Sequence, residues 1–231
     1  FFGYSLTSGD FNGDGRTDLA AGSYFFSANA RTYIFYNDGS IPATAATADV
    51  IITGQNSSYF GSSLTSGDFN ADGRTDLAVG ASPYSSSTGR AYIFYSQNGQ
   101  INTNTSLTGE ATINYFGSAL TSGDFNADGR TDLAVGARGY STDTGRAYIF
   151  YADGSLPTTA ATADVTITGE TTSNSFGGSL TSGDFNADGR TDLAVGAYAY
   201  STNTGRAYIF YNDGSIPTTA ATADVIITGE I

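Results

Sequence analysis

Four short acidic loops hold the residues of this sequence whose types and spacing could do chemistry. Each loop follows the pattern Asp-Phe-Asn-x-Asp-Gly-Arg-Thr-Asp, with oxygen-bearing side chains at positions 1, 3, 5 and 9 and glycine at position 6. Alternate residues of a tight loop point to the same side, and the glycine permits the left-handed turn that wraps the chain around one point. Ca²⁺ prefers an oxygen-only set of ligands with several carboxylates. The sequence therefore predicts about one calcium ion per loop, four in total.

Each predicted site uses four side chains and, at position 7, the backbone carbonyl of an arginine. The predicted ligands are Asp10, Asn12, Asp14, Arg16 and Asp18; Asp68, Asn70, Asp72, Arg74 and Asp76; Asp124, Asn126, Asp128, Arg130 and Asp132; and Asp184, Asn186, Asp188, Arg190 and Asp192. The phenylalanine at position 2 should point away from the ion into its own repeat. Zinc is disfavoured because the chain has no His or Cys. An EF-hand is disfavoured because position 12 is Ala or Val instead of the bidentate Glu.

The distribution of charge supports a cation site over an ordinary turn. Asp, Asn and Gly form turns without any metal, but the pattern occurs in four copies, each with the aspartate at position 9. Twelve of the 22 acidic residues lie in these loops, and the formal net charge is −13. Carboxylates about 4 Å apart repel by roughly 4 kcal/mol per pair at an effective dielectric of about 20. A bound cation would turn that repulsion into attraction.

The loops belong to an internal repeat that organises the whole chain. The pair Phe-Gly recurs at residues 2, 60, 116 and 176, and each copy continues through its acidic loop to a segment ending in Tyr-Ile-Phe-Tyr. We expect one repeat domain over residues 1–231, with copies at about 1–58, 59–114, 115–174 and 175–231. The apolar alternation and turn residues predict four strands per copy, in the second copy beginning with residues 61–69, 75–81 and 90–95. The fourth strand of that copy, near residues 104–107, looks weaker, and residues 44–48 could form one helical turn.

The third strand indicates how the copies pack. In Ala91-Tyr-Ile-Phe-Tyr95 both alternating sets of side chains are apolar or aromatic, so both faces need cover. Four-stranded units that are covered on both faces, at a period near 57 residues, are typical of propeller blades. A β-solenoid is the alternative, but its repeats are usually much shorter. The predicted fold is an all-β propeller of four-stranded antiparallel blades, with four blades in this chain.

The order of these motifs resembles the FG-GAP repeat of integrin α-subunit β-propellers and related proteins. The motifs that carry the likeness are Phe60-Gly61, the acidic loop 68–76 and Gly80-Ala81, and the likeness covers essentially the whole chain. It implies calcium at Asp68, Asn70, Asp72 and Asp76, with the carbonyl of Arg74, and at the matching positions of the other loops. It also implies seven blades, whereas this chain has four copies. Four blades could close a ring, pair with a second copy, or belong to a longer array.

A ligand-binding surface is expected at the end of the blades opposite the acidic loops. The loops there vary most between copies, and we take Tyr84, Arg138, Tyr140 and Tyr200 as candidate ligand-binding residues, with packing between blades as the alternative role of the tyrosines. Two functions remain open. One is an extracellular or cell-surface module for adhesion or recognition that binds a protein or a glycan. The other is a structural or self-associating unit without a small-molecule ligand, which the near-identity of the copies favours.

Composition argues against several other functions. With nine Arg and no Lys against 22 acidic residues, the chain lacks the basic surface that nucleic acids or anionic membranes require. It has no apolar run long enough for membrane insertion. The absence of His, Cys and Lys excludes catalytic triads, thiol chemistry and Schiff bases. The glutamates recur at one equivalent position after Thr-Gly, which suggests a structural role. We therefore expect that the protein is not an enzyme.

Overall fold

The computed structural model describes residues 1–24, 30–55, 58–154 and 156–230, and only the backbone at 102–104. In these parts of the chain sixteen strands form four antiparallel sheets, each in simple sequential order. The predicted fold is confirmed: the four sheets are the blades of a β-propeller. The strands are β1 (Phe2–Gly9), β2 (Asp18–Ser23), β3 (Arg31–Phe35), β4 (Val50–Thr53), β5 (Leu64–Gly67), β6 (Asp76–Ala81), β7 (Arg90–Gln97), β8 (Gln100–Thr108), β9 (Phe116–Gly123), β10 (Asp132–Ala137), β11 (Arg146–Phe150), β12 (Val165–Thr168), β13 (Phe176–Gly183), β14 (Asp192–Ala197), β15 (Arg206–Phe210) and β16 (Val225–Thr228).

The connections between strands follow from their turn residues. A single 3₁₀ turn precedes the fourth strand in three blades, at Ala45–Thr47, Ala160–Thr162 and Ala220–Thr222. The predicted turn near residues 44–48 is thus confirmed, and the Thr44 hydroxyl caps it by accepting the Ala46 N–H at 3.1 Å. Three four-residue turns follow the second strands: α1 (Tyr84–Ser87), α2 (Tyr140–Asp143) and α3 (Tyr200–Asn203). Their central residues have left-handed backbone, such as Ser85 at φ 47°.

The prediction of a weak fourth strand in the second blade is wrong. This strand, β8, runs from Gln100 to Thr108 and has nine residues, against four in each of the other fourth strands. It pairs with β7 through a hairpin in which Gln97 lies opposite Gln100. The direct hairpin replaces the longer connection of the other blades, so pairing begins at the turn. Backbone hydrogen bonds along the hairpin therefore compensate for a polar sequence that propensity alone disfavours.

Each blade has two apolar faces, which we name by the neighbour they contact. The rear face carries the Phe-Gly phenylalanine and contacts the preceding blade, and the forward face carries the acidic-loop phenylalanine and contacts the following blade. In β11, Tyr148 and Phe150 lie on the rear face while Ala147 and Ile149 lie on the forward face, and all four are buried. The prediction that both faces of the third strand are covered is correct for this blade.

Three hydrophobic clusters join the blades in chain order, from blade 1 to blade 4. The first strand of each blade is innermost, since β1 packs beside β5, β5 beside β9, and β9 beside β13. Among the described residues no cluster joins blade 4 to blade 1. The forward face of blade 4 and the rear face of blade 1 are consequently the two outer faces of the array. None of the helices in the described segments has the length and apolar character that a bilayer crossing requires.

Candidate calcium loops and axial pocket

The acidic loop of each blade connects its first and second strands and is shaped by its first aspartate. In blade 1 the Asp10 carboxylate accepts backbone N–H groups from Gly13 at 2.7 Å, Asp14 at 3.0 Å and Gly15 at 2.8 Å. Gly15 has φ 84°, a left-handed conformation that a side chain would strain. The chain therefore curls around the carboxylate of position 1. Asp68, Asp124 and Asp184 accept the N–H groups of positions 5 and 6 in the same way in the other blades.

Positions 3 and 5 lie next to each other on the same loop. Asn12 accepts the Asp14 N–H at 3.0 Å and its amide nitrogen lies 3.3 Å from the second Asp14 carboxylate oxygen. Asp14 also accepts the Arg16 N–H at 2.8 Å. The same three contacts recur in the other loops, with lengths from 2.8 to 3.3 Å. All four loops therefore have one local geometry.

The aspartate of position 9 is buried and connects the loop to the rest of its blade. In blade 2, Asp76 accepts the Phe69 N–H at 3.0 Å and the Ser96 N–H at 2.9 Å. Its carboxylate thus joins the start of the acidic loop to the residue after the Tyr-Ile-Phe-Tyr segment. The equivalent residues are equally buried, at 1% exposure or less: Asp18, Asp76, Asp132 and Asp192. Sequence reasoning placed them as metal ligands but could not show this second role.

Burial shifts the acidity of Asp18, Asp76 and Asp132. Desolvation, opposed in part by the two backbone hydrogen bonds, raises the pKa of Asp76 to about 7. The same cause raises the pKa of Asp132 to about 6, and it also raises the pKa of Asp18. The neighbouring loop carboxylates Asp68 and Asp72 add a smaller repulsion at Asp76. A cation in the loop would counter both the desolvation and the repulsion.

The loops fit calcium by the chemistry of their donors, although the carboxylates of one loop lie apart from each other. Among the described residues no three acidic side chains form a group that could hold a metal ion. The available donors are all oxygens, and each carboxylate oxygen has two lone pairs. One Asp10 carboxylate oxygen accepts two N–H groups and the other accepts one. The second oxygen therefore has a lone pair left for a cation. Calcium binding would require positions 1, 3 and 5 to close toward position 9.

The large non-ligand side chains of the loop, Arg and Phe, are directed elsewhere. The Arg16 guanidinium donates to the Asn37 carbonyl at 3.3 Å, and the role of position 7 through its own carbonyl stays a prediction. The phenylalanine of position 2 points away from the loop, but it does not pack only within its own blade. Phe125, for example, lies in the cluster that contains Leu193 and Phe210 of blade 4. The acidic loop thus also contributes to the contact between blades.

A second candidate site lies on the axis at the opposite end of the blades. A cavity of about 370 Å³ is lined by residues of all four blades. The lining residues are Tyr4, Tyr24, Tyr59, Ser62, Ser82, Ser118, Arg138, Gly178 and Tyr198. Most of them occupy two equivalent positions in each blade: the residue after Phe-Gly and the residue after the second strand. We call this cavity the axial pocket.

The walls of the axial pocket are aromatic and include one positively charged side chain. Tyr24 packs edge-to-face against Tyr4 and Tyr59, with ring centroids 4.2 and 5.2 Å away. On the other side, the Arg138 guanidinium donates to the Tyr198 hydroxyl at 3.2 Å. Sequence reasoning singled out Arg138 but missed Tyr4 and Tyr24 as site residues. Their signal was that both lie at positions whose residue type varies between otherwise near-identical copies.

The other three candidate ligand-binding residues lie outside the axial pocket. Tyr84, Tyr140 and Tyr200 are half-buried in α1–α3. Each lies beneath a recurring arginine, and the guanidinium carbon is 3.6 to 3.9 Å from the ring centroid. Such cation–π stacking accounts for their recurrence in the second, third and fourth copies. Tyr140 and Tyr200 also line shallow cavities between neighbouring blades. Their assignment as ligand-binding residues stays a prediction.

Two of these arginines also connect neighbouring blades. Arg146 of blade 3 pairs with Glu110 of blade 2 at 3.2 Å, and Arg206 of blade 4 pairs with Glu170 of blade 3 at 2.8 Å. Each of these two arginines therefore pairs with a carboxylate of the preceding blade. The partner position of Arg90 is Gln55, which has no charge. Glu110 and Glu170 therefore have a structural role at the contacts between blades.

The comparison with protein families agrees with the fold and the repeat. The model of the FG-GAP repeat matches residues 2–40, 60–94, 116–150 and 176–210, together more than half of the chain. The chain belongs to the FG-GAP repeat family. Members of this family commonly bind calcium.

Relatives that match most of the chain include proteins of two kinds. Integrin alpha-PS2 of Drosophila melanogaster is 34% identical over 86% of this chain, and integrin alpha-IIb of Mus musculus is 33% identical over 86%. Phosphatidylinositol-glycan-specific phospholipase D of Homo sapiens is 33% identical over 84% of the chain. The chain spans only 15%, 20% and 26% of the lengths of these relatives. The likeness therefore concerns the propeller repeats.

Proposed function

We propose that this chain is a calcium-stabilised propeller that acts outside the cell as a recognition module for a glycan or a protein. The observation that carries the proposal is the axial pocket, because it combines tyrosines with an arginine at positions where the blades differ. Tyrosine offers a large rigid surface with a hydrogen-bonding hydroxyl, which suits both sugar rings and protein side chains. The similarity of the chain to integrin α-subunits supports a location outside the cell.

Calcium has a structural role in this proposal. The four loops lie at the end of the blades remote from the axial pocket, so a bound ion would not touch the ligand. It would instead fix the connection between first and second strands and offset the desolvation of the position 9 aspartate. The loop phenylalanine, which packs on the next blade, would be fixed at the same time. Calcium would thereby order the blades that together form the pocket.

The experiment is a glycan array probed with the chain in millimolar calcium and in EDTA. We expect binding in calcium that is lost or weakened in EDTA, and lost in Arg138→Gln and Tyr24→Ala even with calcium present. Gln97→Ala is the control, because Gln97 is exposed at the turn between β7 and β8, at the opposite end of its blade, and this variant should bind normally. If neither variant changes binding to any glycan that the wild type retains, the axial pocket is not the recognition site.

No enzymatic role is proposed, although some relatives carry the name of a phospholipase. The chain has no His, Cys or Lys. Two of its three glutamates are in ion pairs between blades. The second candidate function, a structural or assembly unit, is favoured by the near-identity of the blades. An array that shows no ligand in either condition would favour that function.

A further inference from the structure

Two cavities of one kind lie between neighbouring blades, at the end opposite the acidic loops. Each is formed by the connection into a blade and by the turn that follows the second strand of that blade. The blade 3 cavity has a volume of about 580 Å³ and is lined by residues 111–114 and 139–143. The blade 4 cavity has a volume of about 500 Å³ and is lined by residues 171–174 and 199–203. Cavities of about 300–1,000 Å³ have the size that binds small molecules.

The two cavities are built from equivalent residues, so their differences show what is special to each. Both are lined by the same tyrosine, asparagine, serine and threonine positions. In the blade 3 cavity two hydroxyl side chains are replaced by apolar ones, and one amide is replaced by a carboxylate. The differing pairs, with the blade 3 residue first, are Ala111 and Thr171, Ile113 and Ser173, and Asp143 and Asn203.

The first of these differences leaves a buried amide in the blade 3 cavity without a hydrogen-bond partner. In the blade 4 cavity the Asn174 side-chain nitrogen donates to the Thr171 hydroxyl at 2.9 Å. The equivalent Asn114 is only 5% exposed, and its side-chain nitrogen has no hydrogen-bond partner among the described residues. Ala111 has no side-chain oxygen to offer. A buried donor without an acceptor costs free energy, so this nitrogen favours an oxygen supplied by a ligand.

The charge of the blade 3 cavity disfavours an anionic ligand. Among the described residues that line it, only Asp143 is charged, and its charge is negative. The guanidinium of Arg146 covers one face of the Tyr140 ring, at 3.6 Å from the ring centroid, but it pairs with Glu110 and does not line the cavity. The whole chain also has a formal net charge of −13. A neutral ligand therefore fits this cavity better than an acidic one.

We propose that the blade 3 cavity binds a neutral sugar residue, as a free monosaccharide or as the end of a glycan. Hydroxyl groups both accept and donate hydrogen bonds, so a sugar offers an acceptor to the Asn114 nitrogen and a donor to the Asp143 carboxylate. Its ring C–H groups pack on Ala111 and on Ile113, which is 61% exposed. The Asn114 nitrogen is itself buried, so the exposed residues 111–113 shift as the sugar enters.

This site is separate from the axial pocket, with which it shares no lining residue. Residues of the blade 2 connection and of blade 3 form it, so it depends on a contact inside the array. The blade 4 cavity is the internal comparison. Its Asn174 is already paired with Thr171, and it lacks both the carboxylate and the apolar pair. We therefore expect sugar to bind in the blade 3 cavity and not in the blade 4 cavity.

The experiment follows the asparagine side-chain signals of the 231-residue chain in calcium by proton–nitrogen NMR. The probes are glucose, galactose, mannose and N-acetylglucosamine, each added alone. At least one should shift the Asn114 side-chain signals, with a dissociation constant in the millimolar range, because a shallow site forms few contacts. The Asn174 side-chain signals should stay in place.

Ala111→Thr is the decisive variant, because it supplies the hydroxyl that Thr171 supplies in the blade 4 cavity. The dissociation constant of the sugar should rise about tenfold, as for the loss of one hydrogen bond. The melting temperature should rise by about 2–4 °C, because a buried donor gains its acceptor. Weaker binding by a more stable protein cannot be attributed to unfolding. Asp143→Asn should weaken binding a few-fold.

The blade 4 cavity provides the matched controls. Asn203→Asp adds the carboxylate there while Asn174 stays paired with Thr171, so this variant should bind sugar as the wild type does. Thr171→Ala combined with Asn203→Asp also frees the amide, and sugar should then shift the Asn174 side-chain signals as well. Circular dichroism checks that every variant is folded.

Three outcomes would overturn the proposal. They are Asn114 signals that no sugar moves, an Ala111→Thr variant that binds as the wild type does, and wild-type Asn174 signals that move as far as those of Asn114. Tyr24→Ala, in the axial pocket, should leave the Asn114 shifts unchanged. Glycan binding that needs Tyr24 but leaves Asn114 unmoved would overturn this inference and keep the recognition proposal. Asn114 shifts without any effect of the axial variants on glycan binding would count against the axial pocket alone.

Discussion

The two ends of the propeller differ in how far the four blades agree. At the acidic-loop end the position 9 aspartates accept the N–H of the position 2 phenylalanine at 2.8 to 3.0 Å in every blade. At the axial end the equivalent residues after the second strand are of three types: Tyr24, Ser82, Arg138 and Tyr198. The loop is held by local backbone bonds that tolerate little change, whereas the axial residues carry few such bonds. Uniformity fits the stabilising role that we propose for the loops, and divergence fits the recognition role that we propose for the axial pocket.

Calcium removal should have the largest effect, because it acts on all four loops of the uniform end. If each site binds with a dissociation constant of about 10⁻⁴ to 10⁻³ M, millimolar calcium stabilises it by ~0.4–1.4 kcal/mol, or roughly 2–6 kcal/mol for four sites. EDTA should then lower the melting temperature by roughly 5–15 °C. Arg138→Gln, at the axial end, should show the same shift. Isothermal titration without calcium uptake, together with a melting temperature that EDTA leaves unchanged, would contradict a calcium role.

Asp76→Ala should have the next largest effect and should persist in EDTA. Its loss leaves the buried N–H groups of Phe69 and Ser96 without their acceptor. Each such group costs about 1–3 kcal/mol, so we expect a loss of ~2–4 kcal/mol in the free energy of unfolding by urea. Asp72→Ala is the control on the same loop, because Asp72 is exposed and should cost under ~0.5 kcal/mol in EDTA. Equal losses in the two variants would show that position 9 has no separate structural role.

The stability of the calcium-free protein should also depend on pH. The raised pKa of Asp76, about 7 against an ordinary value of 3.8, means that the folded chain holds a proton which the unfolded chain has released. This contribution to stability is present below the ordinary value and is lost as pH rises toward about 7. Asp132 should act in the same direction up to about pH 6. Urea unfolding in EDTA across this window should therefore show stability falling with rising pH.

A matched variant sharpens the pH test. Asp76→Asn cannot titrate, so its stability should fall less with rising pH than that of the wild type. Calcium should oppose the trend, because the ion favours the deprotonated carboxylate. A wild-type profile in EDTA that matches that of Asp76→Asn would remove Asp76 from the explanation.

Much of the fold was readable from the sequence, because it repeats. Tyr148 and Phe150 alternate with Ala147 and Ile149, so two covered faces were predictable from one strand. The acidic loops were equally clear, since their spacing depends on residues within nine positions of each other. The length of β8 was not predictable, because a direct hairpin outweighs the low strand propensity of its residues.

The sequence by itself determined the four repeats, their strands and the oxygen donors of each loop, because all of these depend on residues close together in the chain. Only the tertiary structure decided that Phe125 packs on the following blade, that Tyr24 and Arg138 line one pocket, and that Phe2 and Phe185 remain exposed. The physical reason is that these properties depend on which blade lies beside which. Four nearly identical copies of the sequence do not reveal that order. In the packed structure each blade has two distinct faces and two ends, and these decide which residues meet.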